Sequence, residues 1–206
     1  QADVLVIQDD VQFDKKATNR NKIISSTGYT WINVPIKKGH QLLPIMDVKI
    51  NNEIPWRRKN YKKICAGYNK AKFFHLYKDY FENLYKKEWE NIFDLNFETI
   101  KQVIRWLDIK VKIIIESELG VSGQQTERLV NVCKKLGADT YISGIGGKKY
   151  LDEKSFEKNK IILKYQNYNT IRYLQHLSKS FIPNLSIIDL LANMGSESGK
   201  LLKESN

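Results

Sequence analysis

Four short apolar runs in this sequence each end in polar residues that could carry chemistry. Asp9 and Asp10 follow the first run, and Glu118 follows the second. A carboxylate at the end of a strand can act as a general base or hold a metal ion that enters with a phosphate. Because consecutive side chains of a strand point in opposite directions, only one member of the aspartate pair can enter a given pocket. Asp9, Asp10 and Glu118 are the candidate catalytic residues, and their alternative role is structural, as loop caps or surface ion pairs.

A glycine-rich stretch follows the third apolar run. Glycine lets the backbone approach a ligand, and N–H groups at the start of a helix favour anions. The spacing fits neither the dinucleotide-binding GxGxxG motif nor the P-loop. A flexible strand-to-helix turn explains the same pattern. The residues that we expect to contact a ligand here are Ser143, Gly144, Gly146 and Gly147, with Tyr150 as a wall of the pocket.

A basic and polar cluster lies between the aspartate pair and the next predicted strand. Arg20 stands between Asn19 and Asn21 and follows Lys15 and Lys16. A planar guanidinium pairs well with a carboxylate or phosphate, and asparagine can fix the orientation of a ligand. The alternative is a surface turn capped by its asparagines. The predicted substrate-binding residues of this region are Gln12, Asn19, Arg20 and Asn21.

Near the C-terminus, Asn184, Ser186 and Asp189 are further candidates for substrate binding. A helix-capping role of Ser186 and Asp189 explains the same residues. No Ser/His/Asp or Cys/His arrangement can be read from the sequence. The two cysteines are far apart, and neither has a neighbour at the spacing of metal ligands, so no metal site is predicted and no cofactor is specified.

The elements that position these residues follow from apolar periodicity. Near-continuous apolar runs predict buried parallel strands. Alternation over 29–36 predicts a half-exposed strand that pairs antiparallel with 21–25. The predicted buried strands are Val4–Ile7, Val111–Ile115, Thr140–Ile142 and Ile161–Tyr165, with a short edge strand at 48–50. The predicted helices are 56–68, 73–87, 96–107, 125–136, 153–158 and one that opens at Ser186 and ends near Gly195, followed by a frayed polar tail.

This order predicts an α/β fold with a mostly parallel, Rossmann-like open sheet, an antiparallel hairpin and a helical insertion. The length of 206 residues fits a single α/β domain, with the insertion at about 55–108. The first strand begins at once, so we expect an upstream strand and helix to be missing. Ligands bind beyond the carboxyl ends of such strands, so Asp10, Arg20, Glu118 and Gly146 are expected to meet around one cleft.

Composition narrows the location and the partners. The net charge is +11, and the two isolated cysteines are typical of a reducing compartment, so we expect a cytoplasmic protein. No apolar run is long enough to span a membrane. The lysines are spread along the chain, with one dense cluster at 56–63, and no nucleic-acid signature occurs. This favours a small anionic or nucleotide-linked sugar substrate over nucleic acid, and it leaves the oligomeric state open.

Three strings of this sequence resemble the WbqC-like protein family. They are Ala2–Phe13 with Asn19–Asn21, Thr140–Leu151, and Phe181–Leu191. The resemblance spans the chain in the expected order, although a Gln-Pro-Tyr-like motif that usually precedes it is absent. It implies a bacterial cytoplasmic protein of O-antigen or other surface-polysaccharide biosynthesis, for which transfer of glycine or another amino acid to a sugar has been suggested.

The leading hypothesis is a transferase that modifies an activated sugar, by aminoacyl or acyl transfer to an amino sugar. Asp9 or Asp10 would act as base, Arg20 would bind a carboxylate or phosphate, and the Ser143–Gly147 loop would cradle a phosphate or oxyanion. The first alternative is a non-catalytic module that binds a nucleotide-sugar or a partner enzyme. The second is a basic nucleic-acid-binding protein that depends on Arg57 and Arg58.

Overall fold

The computed structural model describes residues 1–15 and 17–204, which fall into two compact units. Unit 1 comprises Gln1–Asp10 and Lys110–Asn169. Unit 2 comprises Val11–Ile109 and the described residues from Thr170 onward. Lys16, which the sequence groups with Arg20, lies outside the described residues.

Both units contain strands and helices. The strands are β1 (Val4–Ile7), β2 (Arg20–Ser25), β3 (Gly28–Asn33), β4 (Lys112–Ile115), β5 (Thr140–Ser143) and β6 (Ile162–Tyr165). The helices are α1 (Trp56–Tyr68), α2 (Lys78–Lys86), α3 (Ile92–Trp106), α4 (Gln125–Leu136), α5 (Glu153–Lys158), α6 (Ile187–Met194) and α7 (Glu197–Glu204). The segment of unit 2 between β1 and β4 therefore contains the hairpin as well as the first three helices.

The described residues form a mixed α/β fold of seven helices and small sheets, and the predicted α/β class with mostly parallel strands is confirmed. β1 pairs parallel with β4, β5 pairs parallel with β6, and β2 pairs antiparallel with β3. These are three separate two-stranded sheets and not one open sheet. The prediction that the parallel strands are buried was wrong in part, because Leu5 is 36% and Ile162 56% exposed.

The register of β1 and β4 decides what lies together beyond their ends. Ile7 is the partner of Ile115, so the two strands finish side by side. The residues that follow Ile7 and those that follow Ile115 are therefore neighbours in unit 1. This is the edge at which the aspartate pair was expected to act.

Helix α4 covers the small core of unit 1. Its apolar face carries Val130 and Cys133, which pack against Phe156 and Ile161. Gly137 ends the helix with φ 65°, a left-handed conformation that glycine adopts without strain. The predicted bounds of α4 and its glycine cap are confirmed.

In unit 2, α1 lies directly on the hairpin. A Cβ at Gly67 would lie 2.8 Å from the carbonyl oxygen of Ile24, so glycine is needed for this close approach. The hydroxyl of Tyr68 accepts a hydrogen bond from the backbone N–H of Ile24 at 3.2 Å. Ile23 and Ile24 are fully buried in the core that results.

Several element bounds differ from the predictions. The predicted helix at 73–87 is a 3-10 turn at 74–76 followed by α2, and α3 begins at Ile92, before the predicted start. The expected frayed tail was wrong, because residues 197–204 form helix α7. Its Ser198 is buried and Leu202 packs against the core, so the amphipathic face of α7 stabilises it. No helix in residues 1–15 and 17–204 is long and apolar enough to cross a membrane.

Candidate functional site

An acidic cluster lies beyond the ends of β1 and β4. Asp9 is 2% exposed, and its two carboxylate oxygens accept hydrogen bonds from Ser117. The backbone N–H of Ser117 donates to Oδ1 at 3.0 Å and the hydroxyl donates to Oδ2 at 2.6 Å. Both oxygens are thus used to join the two strand ends, which is a structural role.

Asp10 has a different partner. Arg128 donates from Nη2 to Oδ2 of Asp10 and from Nε to Oε1 of Glu116. These bonds, with Asp10 first and Glu116 second, raise the pKa of Arg128 above its ordinary value. The other oxygen of Asp10, Oδ1, is buried and has no hydrogen-bond partner among the described residues. Asp9 and Asp10 thus bind different partners, Ser117 and Arg128, as expected for consecutive side chains that point in opposite directions.

Glu116 is the buried partner that fixes this arrangement. Its side chain is only 1% exposed, whereas that of Arg128 is 21% exposed. A buried carboxylate is costly without a partner, so Glu116 fixes the guanidinium of Arg128 and thereby the carboxylate of Asp10. The cluster has three carboxylates and one guanidinium, which leaves formal negative charge at this strand edge.

Local backbone geometry places Arg128 at the cluster. Gly123 has φ +111°, and a Cβ there would lie 3.1 Å from the backbone nitrogen of Arg128. The loop before α4 can fold this closely over the first turn only with glycine at that position. Asn131 also donates to the carbonyl of Ser122 at 3.0 Å, which ties the loop to the helix.

The glycine-rich loop after β5 divides into packed and open positions. Ser143 is buried and its hydroxyl donates to the carbonyl of Gly144 at 3.0 Å. A Cβ at Gly147 would lie 2.2 Å from Ser143 Oγ, so Ser143 and Gly147 serve packing. Gly144 and Gly146 are exposed, and a Cβ on either would meet nothing within 4 Å. Their backbone is therefore open to a ligand, and Tyr150 is 72% exposed beside them.

Two observations connect this loop region to the acidic cluster within unit 1. The pKa of Tyr141, on β5, is raised by burial first and then by the charges of neighbours that include Glu116. The hydroxyl of Thr126, at the start of α4, accepts a hydrogen bond from the backbone N–H of Asp152 at 3.0 Å. Asp10, Arg128 and the strand β5 all belong to unit 1.

The other acidic candidate, Glu118, lies exposed on the 3-10 turn at 116–119. Its side chain makes no hydrogen bond or ion pair within the described ranges. The sequence pattern pointed to Glu118, whereas the cluster contains Glu116, Ser117 and Arg128. The position of Glu116 directly after the apolar run was a usable signal, since it continues the strand inward. Nothing in the sequence marks Arg128 among the charged residues of an amphipathic helix.

In unit 2, Asn19 and Arg20 point to opposite sides of the chain. Asn19 is 4% exposed and donates from Nδ2 to the carbonyl of Val34 at 2.8 Å, which fastens the base of the hairpin. Arg20 is exposed and lies over the ring of Trp31. Asn21 is exposed and accepts from the N–H of Lys22 at 2.9 Å, while Gln12 is exposed and forms a bridge with Pro44. Of this set, Arg20 is the cation available to an anion.

The capping interpretation of α6 was wrong in its side chains. Ser186 stands at the N-cap without a side-chain capping bond, and its N–H donates to the carbonyl of Lys22 at 2.7 Å. Asp189 is fully buried, and its Oδ2 accepts from the Tyr173 hydroxyl at 2.8 Å and from Gln175 Nε2 at 2.9 Å. The first turn of α6 faces the interior, where the segment before the helix supplies these donors. Asn184 is exposed with φ 59°.

Burial raises the pKa of Asp189, and hydrogen bonds from Tyr173, Gln175 and Tyr68 offset part of that rise. His176 lies close by, with its ring centroid 6.2 Å from that of Tyr68 and its N–H bonded to Asn193. This network holds the segment after residue 170 against α6 and α1. Asp189 therefore acts as an internal anchor in unit 2.

The four residues predicted to line one cleft do not all belong to the same unit. Asp10, Glu118 and Gly146 belong to unit 1, and Arg20 belongs to unit 2, so the convergence of all four stays a prediction. Among residues 1–15 and 17–204, no group of three or more His, Cys, Asp or Glu side chains is arranged to hold a metal ion.

The molecule is a mixed α/β protein with a partly buried acid–arginine cluster at a parallel strand edge, and comparison with known proteins gives its family. The profile of the WbqC-like protein family matches residues 1–201. An uncharacterized protein of Mycobacterium tuberculosis, Rv1507c, is 30% identical over 204 residues, which cover 98% of this chain and 88% of that protein. No solved structure matches the chain significantly. The chain belongs to the WbqC-like protein family.

Proposed function

We propose that this protein transfers an aminoacyl or acyl group to the amino group of an activated sugar, in the biosynthesis of a bacterial surface polysaccharide such as O-antigen. The family resemblance supports the pathway. The structural observation that supports catalysis is Asp10, of which one oxygen is held by Arg128 while the buried Oδ1 has no donor among the described residues. A carboxylate fixed on one side and unbonded on the other is suited to accept a proton.

In the proposed reaction, the sugar amine attacks the carbonyl carbon of the donor, and Asp10 takes the proton that the amine loses. Glu116 and Arg128 hold the carboxylate of Asp10 in place, and Asp9 holds the neighbouring strand end through Ser117. The exposed backbone at Gly144 and Gly146 leaves room for the donor to approach and for its developing oxyanion. Arg20, which belongs to unit 2, is proposed separately as a binder of a carboxylate or phosphate.

The same proposal includes the way in which the parallel strands of unit 1 are connected. Strands β1 and β4 form one parallel pair, and β5 and β6 form another. The segment that connects β5 to β6 contains α5. We infer that the β5–α5–β6 segment is a Rossmann-like strand–helix–strand unit and that polar strand ends form the site. A cytoplasmic location, where activated sugars are made, fits this proposal.

The test is a transfer assay with nucleotide-linked amino sugars as acceptors and aminoacyl or acyl donors, followed by mass spectrometry of the sugar. Asp10→Asn keeps the size and the contact with Arg128 but removes the base, so the rate should fall about 100-fold or more. Glu127→Gln is the matched control, because Glu127 is an exposed carboxylate beside Arg128 on α4. Equal rates for Asp10→Asn and the wild-type protein would refute the assignment of Asp10 as base.

The non-catalytic alternative draws support from the same ion pair, since a carboxylate already bound to arginine is also typical of a structural strut. The two functions differ in a deletion strain complemented with variants. A binding module tolerates Asp10→Asn but not Gly146→Val, which fills the open backbone position. A transferase loses the sugar substituent with either variant.

A further inference from the structure

One face of the β2–β3 hairpin carries two exposed aromatic rings, each with a cation near its centre. Tyr29 is 49% and Trp31 36% exposed, and their ring centroids are 6.4 Å apart at 86°. The guanidinium carbon of Arg20 lies 4.5 Å from the centre of the Trp31 ring. Lys22 Nζ lies 4.8 Å from the Tyr29 ring and 5.4 Å from the Trp31 ring. We call Arg20, Lys22, Tyr29 and Trp31, together with Lys63, the hairpin platform.

The pairing of the strands creates this face. Lys22 is the register partner of Trp31, and Arg20 is the partner of Asn33. Side chains of directly paired residues lie on the same face of a sheet, and those two apart along a strand lie on it too. The cations and the rings are therefore gathered by the hairpin itself.

Helix α1 adds the third cation. Lys63 Nζ donates to the carbonyl oxygen of Trp31 at 2.7 Å. Asn60, one turn earlier on the helix, donates from Nδ2 to the carbonyl of Asn33 at 2.9 Å. Since both residues reach the backbone of β3, α1 lies fixed beside the platform.

The positive charge of the platform is not neutralised by acidic side chains. Within the described part of the chain, no ion pair involves Arg20, Lys22 or Lys63. Arg57 of the same basic helix, in contrast, lies 3.9 Å from Glu88. The cations at the rings are thus open to an anionic partner, whereas Arg57 is already paired.

We propose that the hairpin platform binds single-stranded RNA. Cations along an open face attract the phosphates, and exposed rings provide stacking surfaces for bases, which is the chemistry of single-strand recognition. A partly exposed strand face with accessible Tyr29 and Trp31 rings suits an extended polymer better than a small molecule, which needs an enclosed pocket. The hairpin turn, Ser26 and Thr27, is polar and offers no apolar wedge for a lipid surface.

Fluorescence anisotropy with a labelled 12-nucleotide oligouridine tests the platform on the full chain. Wild-type protein should bind it more tightly than a duplex of equal length, with affinity that falls as salt rises. Trp31→Ala should weaken binding roughly tenfold through lost stacking. Lys22→Ala should weaken binding and make its salt dependence shallower. Lys134→Ala, which removes an exposed lysine of α4 in unit 1, is the charge-matched control and should bind as wild type.

The proposal is overturned if the oligouridine does not bind, if duplex binds equally well, or if Trp31→Ala binds as tightly as wild type while its circular dichroism is unchanged. Binding only to phosphatidylglycerol vesicles would overturn it in favour of a membrane surface. Failure of the proposed function is separate. Oligouridine binding that depends on Trp31, with transfer unaffected by Asp10→Asn, would retain the platform and reject the base. Transfer from an acyl thioester that depends on Asp10, without RNA binding, would do the reverse.

Discussion

Arg128 and Asp10 are 118 positions apart in the sequence, yet a hydrogen bond from the guanidinium Nη2 to the carboxylate Oδ2 joins them. The same guanidinium holds the buried Glu116. A single helix residue therefore connects the ends of two parallel strands and fixes the carboxylate that we assign as base.

Arg128→Ala should destabilise the protein by about 3–5 kcal/mol, because it leaves the carboxylate of Glu116 buried without its partner. Urea unfolding at pH 7 measures this change. Arg128→Ala combined with Glu116→Gln should recover part of the loss, since no buried charge then lacks a counter-ion. Leu129 is unsuitable as a control because it packs in the core, so the exposed neighbour Glu127→Ala serves and should change stability by less than about 0.5 kcal/mol. An equal loss of stability in Arg128→Ala and Glu127→Ala would contradict the anchoring role of Arg128.

Asp189 gives a prediction for the dependence of stability on pH. Its pKa is raised in the folded protein, mainly by burial. The unfolded chain therefore releases the proton first as pH rises from about 3.9, the ordinary aspartate value, and the free energy of unfolding falls until pH passes the raised value. Asp189→Asn removes this dependence but still has an oxygen to accept from Tyr173 and Gln175. The stability of the variant relative to wild type should grow across that pH window and then level off.

Urea unfolding at several pH values between 3 and 8 tests Asp189, with the exposed Asp79→Asn on α2 as the control, which should follow wild type. A stability difference between Asp189→Asn and wild type that stays constant with pH would exclude a raised pKa at this position. Asp189→Ala should be destabilised at every pH, because the donors of Tyr173 and Gln175 then lose their acceptor.

The contrast between Glu118 and Glu116 shows which features of the site can be predicted from the sequence. Apolar periodicity locates a strand and its polar end, so the bounds of β1, α1, α4 and α5 are predicted correctly. Which carboxylate turns inward depends on the twist after the strand and on an arginine far away in the chain. The single open sheet was not found for a related reason, since strand adjacency depends on packing between distant segments and not on local pattern.

Helix α7 provides a test of tertiary packing against propensity. In an exposed helix, Gly→Ala stabilises by about 1 kcal/mol. At Gly199, however, a Cβ would lie 2.7 Å from the carbonyl oxygen of Leu107, and this backbone atom cannot turn aside. Gly199→Ala should therefore destabilise by about 1–3 kcal/mol. Thermal unfolding measures it, with the exposed Lys200→Ala as control. A stabilised Gly199→Ala would mean that α7 does not pack against Leu107.

Gly147 is the sharpest probe of the loop after β5. A Cβ at this position would lie 2.2 Å from Ser143 Oγ, whereas one at Gly146 would meet nothing within 4 Å. Gly147→Ala should destabilise the protein by about 1–3 kcal/mol, and Gly146→Ala should be close to neutral. Because the nearest obstructing atom is a side-chain oxygen, adding Ser143→Ala to Gly147→Ala should restore part of the stability, while the contact of 2.9 Å with Leu151 Cδ1 remains. The two substitutions would then be strongly non-additive in a double-mutant cycle measured by urea unfolding, as expected for side chains in contact. Additive effects would show that Ser143 and Gly147 do not meet in the folded loop.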